Sequence, residues 1–239
     1  MNVCRPEGAG AVMASRVHGE VDNDDAQTAL YRALEFFPTP PWAARAGGEL
    51  IKLIDPEART VWEPACGQGH MAAALDEYFG VFASDVHPFG HGAVLDFLDE
   101  GIEPPECDWI VTNPPFPSAG KFLRLGLRRA RRGVAMLVRL AFLEGGERSG
   151  RYRMLYGADP LSLCAVFSER PAMLLGRWEP KASTATAYAW LLWRKGEVGP
   201  PQLRGIPPGT RARLTRPDDA ARFGWKTEAG LLVAMGGRA

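Results

Sequence analysis

The chain has 239 residues, of which 46% are hydrophobic and 23% charged, and a formal net charge of zero. That is ordinary for a soluble globular protein and enough for one large α/β domain with extensions or for two small domains. No apolar run reaches membrane-spanning length, no apolar segment at the start reads as a secretory signal, and Cys4, Cys66, Cys107 and Cys164 are scattered without a CxxC pair. A disulfide framework or structural zinc site is thereby excluded, and a reducing cytoplasm fits. The neutral total hides an asymmetry: residues 1–120 hold 19 acids and 6 bases, whereas residues 121–153 hold 10 bases and 2 acids. Such a basic stretch can meet a polyanion, although on charge alone a solvated basic helix over residues 124–132 explains it.

Residues 1–24 show no periodicity and read as a mobile arm. A helix is expected over 26–36, with Leu30, Leu34 and Phe37 at helical spacing. "FFPTPPW" (36–42) breaks it; Thr39 is a good N-cap, and Pro40 suits the first position of a second helix running to about residue 54. "TVWE" (60–63) reads as a buried strand, "PACGQG" (64–69) as a tight loop and 70–79 as an alanine-rich helix. Further strands are expected at "GVFASD" (80–85), "AVLDF" (93–97), "WIVT" (109–112) and "VAMLVRL" (134–140), with the basic helix over 119–132 before the last. This alternation predicts a parallel sheet with helices on both faces. After another helix beyond residue 148, "LSLCAVF" (161–167) and "ATAYAWLLW" (185–193) read as closing strands, their Tyr188, Trp190 and Trp193 as core or rim. "GPPQLRGIPPG" (199–209) reads as a loop, and the last thirty residues add one or two short helices.

Chemistry concentrates at strand ends. Gly67 and Gly69 let the backbone turn sharply after the first strand and approach a ligand. Asp85 ends the second strand, where an acid can accept from ribose hydroxyls. The loop also satisfies GxGxxA, so a nicotinamide-binding loop and a plain structural turn compete with it; the acid at the right distance favours an adenosine-type ligand. Asp96 can accept from an exocyclic amino group and Phe97 can stack on a ring, against the plainer reading of a capping Asp beside a core Phe. In "TNPPF", Asn113 offers a side-chain carbonyl and Pro114 a backbone carbonyl, and Pro115 holds Pro114 extended. Two rigid acceptors suit an NH2 group: gripping both protons localises the nitrogen lone pair on the opposite face without a strong base. Phe116 supplies an aromatic face, worth about 1–3 kcal/mol per stacked base.

In this order, over about residues 36–167, the motifs resemble the S-adenosylmethionine-dependent N6-adenine DNA methyltransferases with cofactor motifs ahead of the catalytic one. The resemblance implies a three-layer Rossmann-like methyltransferase fold with a seven-stranded, mostly parallel sheet. It implies Thr39 and Pro40 closing over the methionine end of the cofactor, and "EPACGQG" (Glu63, Pro64, Ala65, Gly67, Gly69) as the first cofactor loop, Glu63 near the methionine amino group. It places Asp85 on the ribose, and Asp96 and Phe97 on the adenine. Asn113, Pro114, Pro115 and Phe116 become the catalytic tip, with Phe167 of "VFSERP" a loose match for a second base-stacking aromatic. No long recognition domain is present, so selectivity would come from short loops, the basic helix or the tail. The pattern of "RLAFLEG" (139–145) and "SERPAM" (168–173) is similar to small phage and prophage methyltransferase-like proteins.

The expected organisation is an arm over 1–24, a methyltransferase domain over 25–197 and a loop with a short helical tail over 198–239. The expected activity is methyl transfer to N6 of adenine in DNA, with no metal and no membrane partner. Pro88 and Gly90 between His87 and His91 argue against a helical metal site, and Cys66 suits packing. Arg124, Arg128 and Arg131 share a helical face and meet either phosphates or water. Three competitors remain: transfer to an amine of RNA (guanine N2 or adenine N6) or to protein glutamine, a nicotinamide enzyme, and a non-catalytic nucleic-acid-binding scaffold. Oligomeric state and recognition sequence are not legible.

Overall fold

Period-two alternation builds the sheet. In the strands, Val61, Val111, Ala135, Leu137, Trp190 and Leu192 point into one apolar layer, and their neighbours Trp62, Ile110, Val134, Met136, Leu191 and Trp193 into the other. A strand buried on both faces must read as a continuous apolar run, as "WIVT" and "VAMLV" do. The computed structural model describes residues 26–103, 105–144, 150–157 and 160–224. The arm expected over 1–24 and residues 225–239 of the expected tail lie outside them.

Eight strands lie in the order β3-β2-β1-β4-β5-β7-β6-β8. They are β1 (Thr60–Glu63), β2 (Gly80–Asp85), β3 (Ala93–Val94), β4 (Trp109–Thr112), β5 (Gly133–Arg139), β6 (Leu163–Phe167), β7 (Tyr188–Arg194) and β8 (Gln202–Ile206). All run parallel except β7, which lies antiparallel between β5 and β6. Helices α2 (Pro41–Ile54) and α3 (His70–Leu75) cover one face, α4 (Ala119–Arg129) and α5 (Arg151–Tyr156) the other. Helices α1 (Ala26–Ala33), α6 (Thr210–Leu214) and α7 (Asp219–Phe223) complete the chain. The three-layer Rossmann-like fold is as expected.

The eighth strand is a departure. Residues expected as loop pair in register with β6, Cys164 opposite Leu203 and Phe167 opposite Ile206. The strand is at the sheet edge and exposed except for Ile206, so its sequence carries no burial pattern, and Gly205 with the prolines on either side of it masks it. The α2 start also shifts: Pro40 occupies the cap, Pro41 the first helical position, and Thr39 caps nothing. Helix α1 ends by Ala33, and Glu35 takes a left-handed φ of 49° before the Phe-Phe-Pro segment.

Four fully buried tryptophans anchor the layers, each with its indole N–H satisfied. Trp62 donates to Ser84 Oγ, Trp109 to Asp55 Oδ2, Trp190 to the Ala43 carbonyl and Trp193 to the Met154 carbonyl. Gly47 on α2 lies under the Trp190 ring, where an added Cβ would come within 2.5 Å of it. No helix among the described residues is long and apolar enough to cross a membrane.

Candidate functional site

The carboxyl ends of β1, β2 and β4 meet where strand order reverses, the usual ligand crevice of an open α/β sheet. The segment from Ala33 to Thr39 closes over it and leaves a cavity of about 310 Å³. Glu63, Pro64 and Ala65 line it from the first loop, Asp85 from β2, Asp96 and Phe97 from the chain after β3. Thr39, Asn113 and Pro115 line the opposite wall. Gly67, Gly69, Pro40 and Pro114 shape these walls without bordering the space. Gly67 and Gly69 adopt φ of 51° and 83°, which favours glycine, and Gly69 is the left-handed cap of α3.

Three acids behave differently. Asp85 spends each oxygen on the loop: Oδ2 accepts from the Gly67 amide at 2.9 Å and Oδ1 from the His87 amide at 3.0 Å. Burial raises its pKa, and those amides pull it back. Glu63 is 2% exposed, and its Oε2 has no hydrogen-bond partner among the described residues. Burial, with repulsion from Asp85, holds its carboxyl well above the usual range, against the donated Ala72 amide. Asp96 is exposed and accepts from the Leu98 amide at 2.8 Å.

At the tip, Asn113 Nδ2 donates to the Phe37 carbonyl at 3.0 Å and to Thr39 Oγ1 at 3.2 Å. Thr39 therefore anchors Asn113 instead of capping a helix. Glu35, unremarked in the sequence, accepts the Phe116 amide at 2.6 Å and so ties the covering segment to the tip.

Two aromatic expectations need correction. Phe167 does not reach the cavity; it is buried against Trp42, edge to face at 5.4 Å. Its period-two position on β6 turns it into the α2 layer. Phe116 does not border this cavity either, but a neighbouring groove of about 500 Å³. There the Arg139 guanidinium lies 4.1 Å from its ring centroid. Phe97 is mostly core, stacked on Phe122 at 4.8 Å and edge-on to Trp62, with only its rim on the cavity.

The basic face is partly spent. Arg128 pairs with Glu100, Arg131 with Asp108, and Arg129 binds the carbonyls of Phe97 and Asp99. Lys121, Arg124, Arg139 and Arg151 line the groove beside Phe116 and Phe142, with no acidic side chain among its described lining residues.

His70, read in the sequence only as a helix start, borders the cavity at 6% exposure. Its Nε2 lies 3.1 Å from the Phe223 carbonyl and its Nδ1 is buried without a partner. Burial pushes its pKa down to about 4, against the Phe223 carbonyl's upward pull. Among the described residues no cluster of three or more His, Cys, Asp or Glu is placed to hold a metal.

The fold has solved counterparts. The methyltransferase subunit of a type I restriction-modification system from Streptococcus thermophilus is similar with a TM-score of 0.55 at 14% identity, over 84% of this chain and 52% of that one. A candidate RNA methyltransferase from Pyrococcus horikoshii gives 0.52 at 16%, over 69% and 88%. A modification subunit of a candidate type I restriction enzyme from Vibrio vulnificus gives 0.50 at 15%, over 89% and 57%. The fold is that of the S-adenosylmethionine-dependent methyltransferases. This chain spans little more than half the length of the two restriction-modification subunits. No family model and no curated protein sequence matches it.

Proposed function

We propose that the protein is an S-adenosylmethionine-dependent methyltransferase acting on the N6 amino group of adenine in DNA. The residues fit the cofactor. A buried carboxylate oxygen on Glu63 without a partner calls for a donor, best a cation, and an ammonium group supplies one. Asp85, after binding two amides, keeps lone pairs for hydroxyl donors. When bound, S-adenosylmethionine supplies an electrophilic methyl group on a sulfonium.

The observation that carries the methyl-acceptor reading is the orientation of Asn113. Its two N–H bonds are committed to the Phe37 carbonyl and Thr39 Oγ1, so Oδ1 is left as a fixed acceptor. The Pro114 carbonyl, next in the chain, would be the second acceptor that an exocyclic NH2 requires, although Pro114 does not border the cavity. These acceptors hold the amine's two protons and leave its lone pair on the other side; the proton lost afterwards goes to solvent. The groove with Lys121, Arg124 and Arg139 beside Phe116 combines cations and aromatic faces, as a nucleic-acid strand needs. The similarity to restriction-modification subunits accords with this reading.

The test is transfer of labelled methyl from S-adenosylmethionine to DNA, RNA and protein, followed by identification of the modified base. Label in N6-methyladenine of DNA is expected; label only in RNA or in glutamine would replace the substrate. Asn113→Ala should lower turnover by about 10²–10³-fold, with cofactor affinity nearly unchanged by calorimetry. Near-normal turnover of that variant would remove Asn113 from the chemistry.

A further inference from the structure

Among the described residues, three buried side-chain polar atoms lack a partner: Glu63 Oε2, His70 Nδ1 and Thr112 Oγ1. Glu63 ends β1, His70 opens α3 at the other end of the glycine loop, and Thr112 precedes the catalytic Asn113. Native interiors rarely leave such atoms idle, and two of the three residues, Glu63 and His70, line the same crevice.

His70 can be read further because its other nitrogen is assigned. Nε2 faces a carbonyl oxygen, that of Phe223, 3.1 Å away. A carbonyl can only accept, so Nε2 carries the proton and Nδ1 holds a bare lone pair. The ring lies between two spaces: the main cavity and a second one on the side of Phe223 and Arg222. The two ring nitrogens point in widely divergent directions, so an Nε2–H aimed at α7 sends the Nδ1 lone pair away from it. Glu63 lines the same cavity as His70, at the other end of the glycine loop. Two side chains with an unpartnered acceptor, the Glu63 carboxyl and the neutral His70 imidazole, therefore belong to the two ends of one loop at one cavity, and a bound ammonium favours the ionised form of Glu63. A carboxylate would be repelled there and a single hydroxyl has one proton to give. A primary ammonium has three.

We infer that His70 Nδ1 is a second acceptor for the cofactor's ammonium group, alongside Glu63, and that the Phe223 carbonyl of α7 holds His70 in the accepting tautomer. His70 is thus a cofactor-binding residue, and Phe223 a positioning residue acting through it. This rests on the cofactor part of the proposed function and is independent of the methyl acceptor.

Calorimetry with two probes tests it: S-adenosylhomocysteine, which carries the ammonium, and methylthioadenosine, which lacks the whole amino-acid portion. His70→Phe and His70→Gln remove the acceptor at the Nδ1 position and should weaken S-adenosylhomocysteine about ten- to hundred-fold, leaving methylthioadenosine unchanged. His70→Asn returns an oxygen to the Nδ1 position and should bind S-adenosylhomocysteine within about three-fold of the parent. Equal losses for both probes, or no loss for either, would overturn the assignment. Failure of the parent protein to bind either probe would overturn the cofactor reading itself. Imidazole nitrogen resonances of the unaltered protein give an independent reading of the tautomer. A protonated Nε2 is expected, with an Nδ1 signal that moves with S-adenosylhomocysteine and not with methylthioadenosine. A protonated Nδ1 in the free protein, or an Nδ1 signal unmoved by S-adenosylhomocysteine, would contradict the inference.

Discussion

Glu63 and His70 oppose each other in their response to pH. Burial raises the Glu63 pKa, so its folded form favours the neutral acid. The stability it allows is fully present below the ordinary value of 4.5 and declines as pH rises through its raised pKa. His70 is the reverse: held to about 4 from 6.5, it contributes stability that is present above 6.5 and lost as pH falls through about 4. Between these values the two slopes cancel in part, so a variant must separate them. Glu63→Gln should flatten the loss on the alkaline side and stabilise the ligand-free protein at neutral pH by about 1–3 kcal/mol. It should also shrink the rise in Tm that S-adenosylhomocysteine produces. Thermal unfolding from pH 4 to 8, with and without that ligand, measures both; an unchanged ligand effect would mean that Glu63 meets no donor. Glu63 was legible only through the family resemblance of the loop it opens. His70 escaped because its significance is a hydrogen bond to a residue 153 positions away.

The element that places Phe223 is α7, and a buried ion pair holds it. Arg45 on α2 is fully buried and donates to both oxygens of Asp219 at 2.7 and 2.8 Å, to Glu77 at 2.7 Å and to the Leu214 carbonyl at 2.8 Å. Thus α6 and α7 are pinned to α2. Arg45→Met would leave Asp219 charged and buried without a cationic partner, held only by the Arg216 amide, at a cost of about 3–5 kcal/mol. Adding Asp219→Leu should restore much of it, because the unpaired charge is then gone. Urea unfolding of the single and double variants checks this, and additive losses would mean the pair is not coupled. Most elements were legible, since β1, β2 and β4 agree with the apolar runs. Their ends were less so: α3 gives way to turns after Leu75, and β3 stops at Val94, although the residue pattern continues in both. The β8 strand was illegible because an exposed edge is stabilised by the backbone of its neighbour.

Across the whole molecule, the charge division has a spatial meaning. The basic stretch 121–153 brings Lys121, Arg124, Arg139 and Arg151 around one groove beside Phe116, while Arg128 and Arg131 are consumed by acids. Lys121→Glu with Arg124→Glu should weaken oligonucleotide binding and lower the slope of log affinity against log salt by about 1–2. Cofactor affinity should stay as it was. Anisotropy titrations at several salt concentrations test this, and an unaltered slope would place the polyanion elsewhere. By itself the sequence determined the alternating layers, the glycine turn and the identities of the groups at the strand ends, because these depend on period and on near neighbours in the chain. Only the tertiary structure decided which atoms of Asn113 are spent and which remain, that Phe167 is core, that Phe116 faces a basic groove, and that α7 reaches back to His70. Each of those is a contact between residues dozens of positions apart, set by the path of the folded chain and invisible to any local pattern.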